Sequence, residues 1–382
     1  MPKIKQIVNK KPSCKGVASF YILFEGCVSK EPKDAAGIAH LAEHCICEPM
    51  KEIEEKAYAD GITMNAFTSQ TSVAIYCYGL QENIAYYRDW LCEKLLNYIP
   101  PQDVFEREKE IVLTEYKLAM SDQENEFFNN LNRKYFNQTK PIGIYSEIEN
   151  VSYDTFIEFY KTIFKAPTKI ISFSKDRFMP KVPITFSPEY KVKYCKYGLY
   201  TDYATEHNVN TPTEIIMKFI NLNYDYWKKD ITKLFYLDIW RAYISEGLTS
   251  PLVSEIRENL KAAYYVGATL QITPKHNALF YIISQIEKDN IELVSNAIND
   301  IIAKTAVNLS EERFNYVVKS LKSSMELKLR QDTNANRVHK LLKGNASYVP
   351  KFLKTEFTFE RFKQEVNIYK NWALKTELSS TI

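Results

Sequence analysis

The chain has 382 residues, long for one hydrophobic core and suited to two domains of roughly 190 residues each. Its 45% hydrophobic and 25% charged content is ordinary for a soluble globular protein, and a net charge of +3 is too small for a nucleic-acid binder. No run approaches the roughly 18 apolar residues of a membrane span and no secretory leader is legible at the start. Seven cysteines without a C-x-x-C pair argue against a disulfide framework, so a reducing, cytoplasmic location is expected.

The basic opening, MPKIKQIVNKKPSCK, reads as a solvated entry to a first strand at 16–27, GVASFYILFEGC. From about 34 to 47 the spacing is helical. Residues 64–80, MNAFTSQTSVAIYCYGL, are rich in β-branched and aromatic side chains and read as one long strand or a bent pair. A helix at about 83–98 is stopped by Pro100 and Pro101, and 103–120, DVFEREKEIVLTEYKLAM, is another. PIGIYSEIENVSYDTFIEFYKTIF holds a loop and then a helix from about Ser152, followed by a strand at 168–174.

Three prolines and no sustained helical pattern make 176–195 the linker region. The expected division is a first domain at 1–180, a linker at 181–195 and a second domain at 196–382. The second half repeats the grammar. EIIMKFINL, YYVGATLQI and NALFYIISQI read as strands, FYLDIWRAYI and SPLVSEIRENL as helices, with further helices at about 291–305 and 310–328. The fold class expected is α+β: two similar domains, each a mainly antiparallel sheet covered by helices on one face.

Within GIAHLAEHCICEP (37–49), His40 and His44 stand at i and i+4, on one helical face, where they can converge on one ion. Glu43 lies beside them in the order His-x-x-Glu-His, an inverted zinc-peptidase pattern. Read alone, the pair is equally two helix histidines satisfied by backbone and water. A catalytic zinc needs a third protein ligand. In 103–120, Glu108, Ile111, Val112 and Glu115 recur at i, i+3, i+4 and i+7, so two glutamates share an apolar stripe. Glu106, Lys109 and Glu110 read as that helix's solvated face.

With these segments in hand, the chain resembles the pitrilysin and mitochondrial-processing-peptidase family of zinc endopeptidases, in its shorter two-domain form. GIAHLAEH is similar to the family's GxAHxxEH motif, EREKEIVLTEYKLAMSDQEN to its downstream helix, and PIGIYSEIENVSYDTFIEFYKTIFKAPTKIISFS to the end of its first domain. The resemblance implies a Zn2+ held by His40, His44 and Glu115, with Glu43 as general base and Glu108 supporting the ligands. MNAFTSQTS resembles the edge strand that pairs with substrate backbone, which implies Asn65 and Ala66 as substrate-binding residues. GLTSPLVSEIRENLKAAYYV resembles the segment whose arginine and tyrosine stabilise the oxyanion, here Arg257 and Tyr264, with Tyr265 as the competing register.

The resemblance further implies a peptide substrate, cleavage of peptides or unfolded segments, and a homodimer or a heterodimer with a related subunit. Paired bacterial members of such families mature or degrade small peptides; the alternative is a non-catalytic or partner-dependent subunit. The chain departs from the family pattern at Ala42, at CICEPM after the motif, and in a glycine-rich loop reduced to Gly247. Cys45 and Cys47 read as small buried hydrophobes. His207, His276 and His339 have no partner at ligand spacing.

Overall fold

The computed structural model of the chain describes residues 6–12, 15–122, 125, 140–181, 183–188, 201–206, 213–272, 277–330 and 348–374. Two compact units divide between residues 193 and 194. Each holds a mixed or antiparallel sheet with helices packed on it, the α+β class. No described helix is long and apolar enough to cross a membrane. The three remaining histidines, His207, His276 and His339, lie outside the described residues.

The first unit's sheet has the order β1-β5-β2-β4-β3. β2 (Val17–Glu25) and β4 (Ser72–Leu80) run antiparallel at its centre, β3 (Ile62–Thr68) forms one edge, and β5 (Lys169–Phe173) joins β2 to β1 (Ile7–Lys10). Ala18, Phe20, Ile22 and Phe24 alternate along β2 and face the same core as Val73, Ile75 and Cys77 of β4. Onto that face pack α1 (Ile38–Ile46), α3 (Ile84–Leu95), α4 (Gln102–Met120) and α6 (Tyr153–Phe164), through Leu41, Leu91, Phe105 and Phe156 among others. Between them lie the short α2 (Glu54–Ala59) and α5 (Tyr145–Asn150). Ser152 starts α6, its hydroxyl accepting from the Thr155 N–H.

One expectation is corrected here and one open alternative is decided. The basic opening is more than an entry: Ile7–Lys10 form a strand, and its pairing with β5 is parallel, in a sheet otherwise antiparallel. Residues 64–80 are a hairpin, β3 and β4, turned at Ser69–Thr71. From the linker region, Phe178 meets Phe20 edge-on at 4.7 Å, and Ile184 and Phe186 pack on the first core.

The second unit's sheet has the order β6-β7-β9-β8, antiparallel throughout: β6 (Thr201–Glu206), β7 (Thr213–Asn223), β8 (Ala263–Ile272) and β9 (Asn277–Glu287). Its core gathers Ile216, Ile220, Phe280 and Ile282 under α7 (Thr232–Ser245), α8 (Ile291–Val307), α9 (Glu311–Arg330) and α11 (Phe359–Leu374), with α10 (Tyr348–Lys354) beside α7. Trp240 of α7 stacks on Phe280 at 5.0 Å and anchors the layer. SPLVSEIRENL is not a plain α-helix. Val253–Asn259 are π-helical, and the Leu260 N–H donates to the Glu255 carbonyl, one residue wider than an α turn.

Candidate active site

α1 buries Ile38, Ala39, Leu41, Ala42, Cys45 and Ile46, which leaves His40, Glu43 and His44 together on its other side. The apolar run therefore belongs to one face of a nine-residue helix, and the three polar residues to the opposite one. α4 lies alongside. Its buried stripe is Val104, Phe105, Glu108 and Val112. Ile111 is exposed, contrary to its place in the expected stripe, and Glu115 stands where the stripe emerges into solvent, its side chain 44% exposed. Lys109 is not solvated: its ammonium donates to the Val151 carbonyl and lies over the Phe105 ring.

The two helices bring His40, His44 and Glu115 together, one ligand atom from each lying within 4.8 Å of the others. Glu115 Oε2 is 3.7 Å from His40 Nε2 and 3.5 Å from His44 Nε2. Ligand atoms about 2.05 Å from a tetrahedral zinc stand about 3.3 Å apart, close to the two distances from Glu115 Oε2. Burial, with His44 adding to it, lowers the His40 pKa to about 4. The ring is therefore held uncharged at pH 7, the form that can ligate a metal. Its Nδ1 is buried and has no hydrogen-bond partner among the described residues. Two imidazoles and a carboxylate form the donor set of a catalytic zinc.

Glu108 is buried and sits behind the ligands. Its Oε2 is 3.4 Å from His44 Nδ1, and its Oε1 accepts from Arg107 Nη2 at 3.1 Å, with Lys51 Nζ at 3.6 Å. A carboxylate on the far nitrogen of a ligand histidine fixes ring orientation and tautomer. Glu43 Oε2 is 4.0 Å from His40 Nε2 and accepts a hydrogen bond from the Thr68 hydroxyl at 3.0 Å. Burial pushes the Glu43 carboxyl upward, Glu115 adding to this while His44 and the Thr68 hydrogen bond oppose it. Burial likewise raises the Cys45 and Cys47 thiols well above their ordinary value, so neither is a thiolate beside the site.

Thr68 ends β3, the edge strand, so the sheet edge arrives at Glu43. Asn65 is exposed and its Oδ1 accepts the Ala66 N–H at 2.7 Å. Arg257 and Tyr264 belong to the second unit. Arg257 sits on the π-helical turn, half exposed, with Nε 3.3 Å from Glu258 Oε1. Tyr264 is the extra residue of a β-bulge: Ala263 pairs with Ile286 and Tyr265 with Gln285, leaving it without a ladder partner. Tyr265 is exposed, and the Ser284 hydroxyl donates to its carbonyl.

Two family models match the sequence. Residues 15–145 match Insulinase (Peptidase family M16), and residues 189–321 match Peptidase M16 inactive domain. The chain belongs to the M16 peptidase family. Solved structures agree on the M16 fold. A protease from Helicobacter pylori has a TM-score of 0.74 at 16% identity, over 96% of this chain and 92% of its own. An M16 inactive domain from Pseudomonas fluorescens has 0.72 at 15%, over 95% and 91%. Pitrilysin has 0.65 at 12%, over 96% of this chain but 43% of its own, so this M16 chain spans under half of pitrilysin. No curated protein matches.

Three groups at this M16 site lie beyond the sequence reading: Thr68 on Glu43, and Glu31 and Glu147 at the start of α1. Glu31 Oε1 accepts from the N–H groups of Gly37 and Ala39, at 3.2 and 3.1 Å. Glu147 Oε2 accepts from the Ala36 N–H at 2.8 Å. Burial pushes the Glu31 pKa up to about 8, the two backbone donors opposing this and Glu147 adding to it.

Proposed function

We propose that this M16 chain is a zinc-dependent endopeptidase acting on short peptides or unfolded segments. The observation that supports this most directly is the convergence of His40, His44 and Glu115, with the Glu43 carboxylate beside them. Zinc, when bound, supplies a Lewis acid for the scissile carbonyl and acidifies a water for attack. Glu43 takes the proton of the attacking water and passes it to the leaving amine. Thr68 holds the Glu43 carboxylate through Oε2, the oxygen that lies towards His40. Glu108 holds His44 in place through Nδ1.

An extended peptide adds to the sheet along β3, its main chain meeting Asn65 and Ala66. A substrate carbonyl then takes the Ala66 N–H that Asn65 Oδ1 now holds, and the freed Asn65 amide turns to the substrate. Arg257 and Tyr264, both in the second unit, act as the oxyanion donors. A homodimer is the simplest assembly that supplies them; a heterodimer with a related subunit serves equally. The substrate class is a small bacterial peptide to be matured or degraded, and the compartment the cytoplasm.

The test is cleavage of a mixture of unstructured peptides followed by mass spectrometry, with Glu43→Gln and chelator-treated samples alongside. We expect cleavage from the zinc-loaded protein, loss on chelation with recovery on adding zinc, and a loss of at least about 100-fold in Glu43→Gln at unchanged zinc content. Zinc-loaded chain that cuts nothing, alone or with a related subunit, would establish the non-catalytic reading instead.

A further inference from the structure

We propose that Glu31 and Glu147 are positioning residues for the zinc ligands: Glu31 fixes the start of α1, and Glu147 ties that start to a segment packed on α4. The inference rests on the zinc reading above and adds the groups that set the geometry of the ligand triangle.

A helix start leaves its first N–H groups without intrahelical partners, and a Ser, Thr, Asp or Asn at the N-cap ordinarily takes one. α1 has Gly37 there, in a left-handed conformation (φ 104°), with no side chain to offer. Its capping falls to a carboxyl from outside the helix: Glu31 reaches forward over 6 residues to Gly37 and 8 to Ala39, while Glu147, 111 residues downstream, takes the Ala36 N–H just before the N-cap. His40 is the third residue of this helix. A shift of the helix start is therefore a shift of a ligand.

The segment carrying Glu147 also touches the other ligand helix. The Ile144 N–H donates to the Ala36 carbonyl at 3.1 Å, which ties the segment to α1. The Tyr145 ring lies 5.8 Å from that of Tyr116, the residue after Glu115, and Lys117 Nζ lies over the Tyr145 ring at 5.1 Å. Residues 144–147 thus join the start of α1 to the part of α4 that bears Glu115. Space for this is made by glycine. A Cβ on Gly143 would lie 2.3 Å from the Ala36 carbonyl oxygen and 2.4 Å from the Gly37 Cα, and one on Gly37 would lie 2.9 Å from the Gly143 Cα. A serine cap at 37 is barred by the left-handed backbone and by Gly143, so the carboxyls come from elsewhere, and Glu147 also holds α1 against the segment on α4.

The test compares Glu31→Ala, Glu31→Gln, Glu147→Ala and Glu147→Asp with the unaltered protein. Zinc affinity is read by competition with a chelating indicator, and the absorption bands of the Co2+-substituted protein report ligand geometry. Both alanine variants are expected to lose about tenfold or more in zinc affinity and to shift the Co2+ bands. Glu31→Gln keeps an oxygen for both N–H groups and should stay within about threefold. Alanine variants that unfold cooperatively yet bind zinc as tightly as the unaltered chain would overturn the proposal. If alanine prevents folding, Glu147→Asp, one methylene shorter, decides it: undiminished affinity there is equally fatal. An unaltered chain that binds no zinc at all would instead remove the metal reading itself, and the positioning role with it.

Discussion

The hydrogen bond from Thr68 to Glu43 joins the end of edge strand β3 to the proposed base, across 25 residues of sequence. A carboxylate that must receive a proton gains from being held in one orientation, because rotation about its last bond would carry the receiving lone pair away. Thr68→Val removes the hydroxyl at nearly constant volume. We expect kcat to fall about tenfold with KM within about twofold and zinc content unchanged, while Thr68→Ser restores most of the loss. Equal kcat in Thr68→Val would show that the base needs no such hold. His40, Glu43 and His44 were legible in the sequence because one helix turn sets their spacing. Glu115 could be placed only through the family resemblance, since two glutamates shared the stripe. The structure separates them, Glu108 buried behind His44 and Glu115 emerging beside both histidines. Thr68, Glu31 and Glu147 left no local signal at all: each acts on a partner that only the fold brings near.

At the scale of elements, strands and long helices followed the hydrophobic period, and the misses have identifiable chemistry. The β3–β4 turn, Ser-Gln-Thr, contains no Gly, Pro or Asn. It closes through Ser69, whose hydroxyl donates to the Ser72 carbonyl at 3.0 Å and accepts the Ser72 N–H at 3.1 Å, so the sequence left one strand and a bent pair undecided. β1 has only two partly buried residues among lysines and asparagine, too few for an alternating pattern to show. The π-helical turn keeps a helical spacing of apolar residues, and its extra residue leaves no mark on composition. That turn ends on Lys261 in the left-handed region (φ 51°), with the Ala262 N–H bonded to the Ile256 carbonyl at 3.0 Å. A left-handed residue closing a helix is the place for glycine. Lys261→Gly should raise the denaturant midpoint by the equivalent of about 1 kcal/mol without changing the slope. A lower midpoint would mean that the exposed lysine side chain contributes more than its backbone costs.

For the whole molecule, the decisive question is where the proposed oxyanion donors come from. Zinc ligands and base lie in the first unit, Arg257 and Tyr264 in the second, and the proposed assembly takes the two sets for one site from two chains. This has a consequence that a self-contained chain does not share. Glu43→Gln lacks the base but keeps its donors; Arg257→Ala keeps the base but lacks a donor. Each alone should be inactive or nearly so. Mixed under conditions that let subunits exchange, half of the dimers contain one of each. In such a dimer one site combines the intact zinc unit of the Arg257→Ala chain with the intact donors of its partner, while the other site carries both defects. Turnover per chain should then recover to about one quarter of the unaltered protein, as expected for a two-fold assembly with shared sites. Recovery should follow the time course of subunit exchange and vanish if exchange is blocked by prior cross-linking. If each chain completed its own site, every site in the mixture would carry one defect. Activity would then stay at the level of the single variants however long they were mixed.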